Sequence, residues 1–105
     1  MADKADHELK TWPYYFDQVW CGSKRFEWRR DDRPFRIGDL VALREWTLPG
    51  GYSGRVLLAR ITCVVGREKP PLCLGIPSGW VILGIDIIGH SFGELVPPLG
   101  EATNG

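Results

Sequence analysis

Two long apolar segments constrain the fold of this chain more than any other feature. RVLLARITCVV (55–65) and WVILGIDII (80–88) are rich in valine, isoleucine and leucine, which favour strands. The segment between them (66–79) is rich in glycine and proline and has no helical pattern, so the β-α-β alternation of a parallel sheet is missing. The second segment is apolar on both faces, which predicts a central or well-covered strand.

The first half of the chain adds three shorter strands and one helix. Phe16, Val19 and Trp20 recur at helical spacing, which predicts a short helix over 13–21, and Gly22 follows as a typical helix-ending residue. The remaining predicted strands are 7–12, 25–30 and 40–46.

This order of elements predicts a mainly β (α+β) fold. We expect a small β-barrel of about five to six strands with one or two short helices, the first of which caps an opening of the barrel. The chain of 105 residues is predicted to be a single domain, with flexible tails at 1–6 and about 98–105. The loop 66–79 is long for a small domain, which marks it as a candidate functional loop.

The charge distribution limits the classes of partner. The formal net charge is zero, which argues against a protein that coats nucleic acid or membranes by bulk electrostatics. Residues 22–36, however, contain six basic and three acidic side chains, a local excess of +3. A modest basic patch is therefore expected in that segment.

Cysteine spacing and hydropathy predict an intracellular protein without a metal or cofactor. The three cysteines form no C-x-x-C pair, and their spacing relative to the two histidines matches no zinc motif. Free thiols in a reducing compartment are expected. The N-terminal segment MADKADHELK is charged and lacks the apolar core region of a signal peptide. The apolar run 80–89 is too short to span a bilayer. We therefore expect a cytoplasmic protein without membrane association.

The segment GSKRFEWRRDDR (22–33) is the main candidate site. Strand alternation predicts that Phe26 and Trp28 point into the core. Arg25, Glu27 and Arg29 then share the opposite, outer face. Two interpretations stay open: a solvated ion pair that contributes little to stability, or a binding site.

The segment also carries a family resemblance. Gly22, Lys24, Glu27 and Arg29 fit G-x-K-x-x-E-x-R, which resembles the signature of ASCH domains in the PUA-like superfamily of small β-barrels. Residues 7–46 and YSGR (52–55) are similar to a bacterial and phage group known as domain of unknown function 3850. The matching residues in 7–46 are His7, Leu9, Lys10, Pro13, Phe16, Val19, Gly22, Lys24, Phe26, Glu27, Arg29, Asp32, Arg33, Phe35, Gly38, Asp39 and Glu45.

The resemblance implies a ligand class and a place for it. In ASCH and PUA-like proteins the motif lies in a cleft between the first helix and the barrel, which is taken to bind RNA or nucleotides. By this resemblance Lys24 and Arg29 would contact a phosphate or a base edge, and Glu27 would orient Arg29 or accept from an exocyclic amine. An arginine fork suits both phosphate and guanine.

Further candidates surround this motif. Lys10 and Arg33 could complete a phosphate-binding edge with Lys24, although each is equally consistent with a solvated side chain. Tyr52 is a candidate stacking residue because it lies in a predicted loop. The other aromatics with a possible stacking role are expected to pack: Trp12, Tyr14, Tyr15 and Trp46.

Whether the protein is an enzyme is open at this point. Some ASCH relatives hydrolyse acetylated cytidine with the motif lysine, a threonine three residues later and a downstream glutamate. Lys24 matches that lysine, but Glu27 stands at the threonine position, so the sequence departs from the pattern of these hydrolases at a catalytic residue. If the protein is an enzyme, Lys24 and Glu27 are the catalytic candidates. Three functions are therefore considered: an RNA- or nucleotide-binding module, a hydrolase of a modified nucleoside or RNA, and a phage or mobile-element accessory protein that binds another protein.

Overall fold

A computed structural model describes residues 5–92 of the chain as a curled five-stranded sheet with one short helix. The elements are β1 (His7–Thr11), α1 (Pro13–Trp20), β2 (Phe26–Arg30), β3 (Leu40–Thr47), β4 (Gly51–Val65) and β5 (Trp80–Phe92). The strand order is β1-β3-β4-β5-β2, with β1 parallel to β3 and all other neighbours antiparallel. The predicted mainly β fold of five strands with a short helix is confirmed.

The long strands exceed their predicted bounds. The predicted loop between β3 and β4 shortens to a turn at 48–50, because Trp46 pairs with Tyr52 and extends the ladder. β5 lies between β4 and β2, so its predicted interior position in the sheet is confirmed. Ile88, toward the C-terminal end of this strand, is nevertheless 50% exposed.

The core lies on the concave side of the sheet. Alternate residues of β3, β4 and β5 point to this side, and α1 covers it with Phe16 and Val19, which are fully buried. The core cluster is Leu9, Phe16, Val19, Phe35, Val41, Leu43, Leu57, Ala59, Ile61, Val81, Leu83 and Ile85.

The sheet closes only partly, because β1 and β2 are its two edge strands. Within residues 5–92 no ladder joins them, and the gap between them is called the slit below. Two arginine side chains bridge the slit: Arg29 donates to the carbonyl of Lys10 at 3.0 Å, and Arg33 donates to the carbonyl of Glu8 at 3.2 Å. Side chains thus satisfy backbone acceptors that a closed barrel would pair in a ladder.

The predicted orientation of β2 is wrong. Glu27 pairs with Leu83, and both side chains are buried on the concave face. Phe26 and Trp28 instead lie on the convex face and are 45% and 46% exposed. Aromatic burial does not decide the direction of this strand, because its convex face is only about half covered by the described part of the chain and because Glu27 is paired with Lys24 and Arg29 inside.

The ends of the described range bear on two further predictions. Asp6, within the predicted N-terminal tail, exchanges two 2.8 Å hydrogen bonds with the backbone of Leu40. The rest of that tail, apart from Ala5, and the predicted tail at 98–105 lie outside the described residues. No helix in 5–92 has the length and apolar character needed to cross a bilayer.

Candidate functional site

A cleft of about 550 Å³ opens where the C-terminal end of β1, helix α1 and strand β2 meet. Its volume falls in the usual range of small-molecule sites, about 300–1,000 Å³. The lining residues are Lys10, Thr11, Trp12, Tyr15, Gln18, Ser23, Lys24, Phe26, Glu27, Trp28 and Arg29. Three chain segments therefore converge on one concave surface, with the G-x-K-x-x-E-x-R motif along one side.

A buried ion triad forms the floor of the cleft. The Glu27 side chain is 4% exposed and accepts from Lys24 Nζ at 3.0 Å through one oxygen. Its other oxygen accepts from Nε and Nη2 of Arg29 at 3.0 and 2.9 Å. A buried carboxylate needs such partners, since removing one member of a buried ion pair costs about 3–5 kcal/mol. Of the two interpretations left open by the sequence, the solvated ion pair does not describe this buried arrangement.

Arg29 also connects the triad to β1. Its Nη2 donates to Thr11 Oγ1 at 3.2 Å and to the Lys10 carbonyl across the slit. Thr11 in turn donates its hydroxyl hydrogen to the carbonyl of Leu9 at 3.4 Å. The guanidinium therefore positions the end of β1 and the entry into α1 relative to β2.

Three cations keep hydrogen-bond donors available to a ligand. Lys24 Nζ also donates to the carbonyl of Phe26 at 2.8 Å, so two of the three ammonium hydrogens have acceptors. Nη1 of Arg29 has no hydrogen-bond acceptor among residues 5–92. Lys10 has its ammonium 4.5 Å from the centroid of the Trp46 ring and makes no ion pair within that range. The cleft can thus accept an anionic or acceptor-rich group.

Aromatic rings form the walls of the cleft. Trp12, Tyr15, Phe26 and Trp28 are each about half exposed. The Lys24 ammonium lies 5.6 Å from the Tyr15 ring centroid and 4.8 Å from that of Phe26. Partly exposed rings beside a cation suit a planar ligand, since bases stack on such rings without regard to sequence.

The predicted site residues lie in three places. Lys10, Lys24, Glu27 and Arg29 come together in the cleft. Arg33 lies beside it, where it pairs with Asp32 at 3.3 Å in addition to bridging the slit. Tyr52 lies elsewhere, on β4, with the guanidinium of Arg44 3.9 Å from its ring centroid.

Sequence reasoning missed the aromatic walls. Trp12 and Tyr15 were expected to pack, and Phe26 and Trp28 were expected in the core. A usable signal existed for Tyr15, because it falls outside the face of α1 that carries Phe16 and Val19. Trp12 lies four residues before Phe16, so helical spacing groups it with the packing face, and only the structure shows it half exposed at the N-cap of α1. No local signal marks Phe26 and Trp28, because only the register with β5 determines which face they take.

The loop 66–79 does not contribute to the lining of the cleft. Leu74, Gly75 and Ile76 instead face a separate apolar pocket on the convex side, which they share with Trp28. The loop is attached at its start by Arg67, which makes a two-pronged ion pair with Asp31 at 2.8 and 2.7 Å. The Arg67 pair lowers the pKa of Asp31.

Histidine and cysteine residues lie apart from the cleft lining. Nε2 of His7 donates to Asp39 Oδ2 at 2.7 Å, and the imidazole packs on Phe35 at 4.8 Å between ring centroids. The Ser23 hydroxyl, 3.4 Å from the sulfur, lowers the pKa of the Cys21 thiol. Among residues 5–92, no three His, Cys, Asp or Glu side chains are arranged to hold a metal ion.

Comparison of the sequence with known proteins places the chain in a family. A curated relative, described as "Uncharacterized 12.9 kDa protein in GpA 3'region" of Escherichia phage P2, is 47% identical over 58 residues. The alignment covers 55% of this chain and 52% of the relative, so the chain spans about half of the relative's length. The family model described as "Domain of unknown function (DUF3850)" matches residues 6–85, which include the whole cleft lining. Because this match extends over most of the chain, the protein belongs to the DUF3850 family.

Proposed function

We propose that the cleft binds RNA or a nucleotide, with a base against the aromatic walls and a phosphate or base edge at Lys24 and Arg29. The observation that carries this proposal is the combination, in one cleft, of half-exposed aromatic rings with cations that retain free N–H groups. Stacking supplies affinity for a base, and charge-assisted hydrogen bonds suit phosphate oxygens.

The proposal includes an ASCH-type relationship within the PUA-like superfamily. Its support is the position of the G-x-K-x-x-E-x-R motif beside a cleft between the first helix and a curled β-sheet, where the motif lies in ASCH proteins. A cytoplasmic location is part of the proposal and is supported by the free cysteines Cys21, Cys63 and Cys73.

Binding is favoured over hydrolysis because the candidate catalytic groups are occupied. Both carboxylate oxygens of Glu27 already accept hydrogen bonds from cations, so taking a proton from a substrate would disrupt at least one of these contacts. Lys24 donates two of its three ammonium hydrogens, to the Glu27 carboxylate and to the carbonyl of Phe26. A hydrolase function therefore requires that a ligand first displace these contacts.

A protein-binding function is the second candidate, and one surface favours it. Leu72 and Leu74 in the loop are 70% and 76% exposed, close to the apolar pocket beside Trp28. The relative in phage P2 suggests a mobile-element setting for such an accessory role. This surface is on the convex side, so the two functions are separable by mutation.

A direct test uses tryptophan fluorescence, since Trp12 and Trp28 line the cleft. The protein is titrated with the four nucleoside monophosphates and with short single-stranded RNA at two salt concentrations. We expect saturable quenching that weakens with salt. Chromatography of the same mixtures distinguishes binding from hydrolysis of RNA or nucleotide.

A matched pair of variants assigns any signal to the cleft. Tyr15→Ala removes a wall of the cleft, whereas Tyr14→Ala removes an adjacent tyrosine that is 70% exposed and outside the lining. We expect about a tenfold loss of affinity for Tyr15→Ala, since one stacking ring contributes about 1–3 kcal/mol, and little change for Tyr14→Ala. Absence of binding by the folded wild-type protein would reject the proposal.

A further inference from the structure

A second, smaller cavity lies next to the cleft along the slit. It has a volume of about 270 Å³ and shares Trp28 and Arg29 with the cleft. The Arg29 side chain that crosses to β1 stands between the two cavities. The lining of the second cavity is Leu9, Trp28, Arg29, Arg30, Asp32, Arg33, Phe35 and Trp80. The two cavities are therefore neighbours along β2, separated by the Arg29 side chain, and together they are called the track.

Positive charge predominates in this second cavity. Three guanidinium groups, those of Arg29, Arg30 and Arg33, face a single carboxylate, that of Asp32. Asp32 pairs with Arg33, and Glu27 pairs with Arg29. Arg30 makes no ion pair within residues 5–92, and its guanidinium carbon lies 5.0 Å from the Trp80 ring centroid. An exposed, unpaired guanidinium held over a ring is well suited to bind a phosphate.

The aromatic and arginine side chains along the track are spaced as a ligand of successive nucleotides would require. The ring centroids of Trp28 and Trp80 are 6.1 Å apart. Trp28 lies at the boundary between the two cavities, and Trp80 lies in the wall of the second. Trp28 and Arg30 are two residues apart on one face of β2, about 7 Å along the strand. A free nucleotide in the cleft would not contact Arg30 or Trp80, whereas a connected second nucleotide would reach them.

We propose that the second cavity binds the backbone phosphate of a neighbouring nucleotide, so that the ligand is a single-stranded oligonucleotide rather than a free nucleotide. This inference rests on the proposed function of the cleft. Trp28 separates consecutive nucleotides, and Arg30, together with Arg33, contacts the phosphate that connects them. Asp32 opposes the phosphate and limits its affinity.

The test compares a nucleoside monophosphate with a mixed-sequence single-stranded RNA trinucleotide, by the same fluorescence titration. We expect the trinucleotide to bind at least tenfold more tightly, with a steeper dependence on salt. Each phosphate contact adds about 0.7 to the slope of log affinity against log salt for a single strand.

Three variants locate the second phosphate. Arg30→Gln is expected to reduce trinucleotide affinity about tenfold and to leave monophosphate affinity unchanged. Arg36→Gln is the matched control, because this exposed arginine belongs to the same basic segment but lines neither cavity. Asp32→Asn should raise trinucleotide affinity severalfold, because it removes the carboxylate that opposes the phosphate. Circular dichroism checks that each variant is folded.

The outcomes separate this inference from the proposed function. Equal binding of monophosphate and trinucleotide would overturn the second cavity as a phosphate site while the cleft remains a nucleotide site. Equal losses in Arg30→Gln and Arg36→Gln would also overturn it, since the effect would then be general electrostatics. If neither ligand binds, the proposed function itself fails.

Discussion

At the scale of single residues, Glu27 shows how the site and the fold depend on each other. Its carboxylate lies on the same face as Leu83 and Val81 of the core, yet it is balanced by Lys24 and Arg29. Each of these cations also reaches a backbone carbonyl, at Phe26 and Lys10 respectively. One buried carboxylate therefore positions both cations that are expected to meet the ligand.

Replacing Glu27 by glutamine should destabilise the protein substantially. The Glu27→Gln variant leaves two partly buried cations without a counter-charge, and we expect the free energy of unfolding to fall by about 3 kcal/mol. Urea unfolding followed by circular dichroism measures this change. Glu8→Gln is the control, because Glu8 is half exposed and pairs with Arg44 only at 3.4 Å. A loss in Glu27→Gln no larger than in this control would contradict the assignment of a buried triad.

At the scale of elements, the connection between β2 and β3 (31–39) is held at both ends by carboxylates. Asp31 pairs with Arg67 of the 66–79 loop at one end. At the other end, Asp39 accepts hydrogen bonds from His7 at 2.7 Å and from the backbone N–H of Arg36 at 2.9 Å. Between them, Phe35 inserts into the core. Two ionised groups thus fix a segment that has no ladder of its own.

The stability of this connection should decrease in acid. Burial by itself would raise the pKa of Asp39, but the hydrogen bonds from His7 and Arg36 outweigh it and hold the pKa below the ordinary value of 3.8. The pKa of Asp31 is lowered by its hydrogen bonds with Arg67. A carboxyl with a lowered pKa in the folded state contributes its full stability above the unfolded value and loses it as the pH falls through the folded value.

Urea unfolding at pH 7 and at pH 3 measures this effect. We expect the urea concentration at the unfolding midpoint of the wild-type protein to be lower at pH 3 than at pH 7. The difference should be smaller in Asp39→Asn and Asp31→Asn, which are already less stable than the wild-type protein at pH 7. An unchanged pH dependence in both variants would show that other groups determine the acid response.

At the scale of the whole molecule, the sheet is a half-barrel whose edges are connected by side chains. Arg29 and Arg33 span the slit between β1 and β2 and donate to carbonyls of β1. The cleft and the second cavity lie along this slit. The opening of the barrel is therefore also the proposed binding track, and the arginines that bridge it contribute to both.

Loosening the bridge should affect the edges of the sheet and spare its centre. Arg29→Lys keeps a positive charge beside Glu27, but a single ammonium cannot also reach the Lys10 carbonyl and Thr11 as the guanidinium does. We expect amide hydrogen exchange in β1 to accelerate about tenfold, which corresponds to the loss of roughly one hydrogen bond, while exchange in β4 and β5 stays unchanged.

The control for this experiment is Arg44→Lys. Arg44 also contacts β1, but through the Glu8 side chain rather than the backbone. Its substitution should leave exchange in β1 near the wild-type rate. Equal acceleration in both variants would mean that the backbone bridge is not what holds β1 in position.

The sequence by itself determined the elements and the most specific part of the candidate site. Helical spacing of Phe16, Val19 and Trp20 and the two long apolar runs are local patterns, so the helix and the strands could be predicted with only their ends in error. Because the motif G-x-K-x-x-E-x-R is contiguous, it brought Lys24, Glu27 and Arg29 together without knowledge of the fold.

Only the tertiary structure decided which way the motif strand faces. β2 alternates aromatic and charged residues, and either face could have been the buried one by local pattern alone. Its register with β5 puts Glu27 inside, where ion pairing compensates burial, and leaves Phe26 and Trp28 as walls of a cleft. Pairing between strands distant in sequence made that choice, and for this reason the place of Phe26 and Trp28 in the cleft could not be read from the chain.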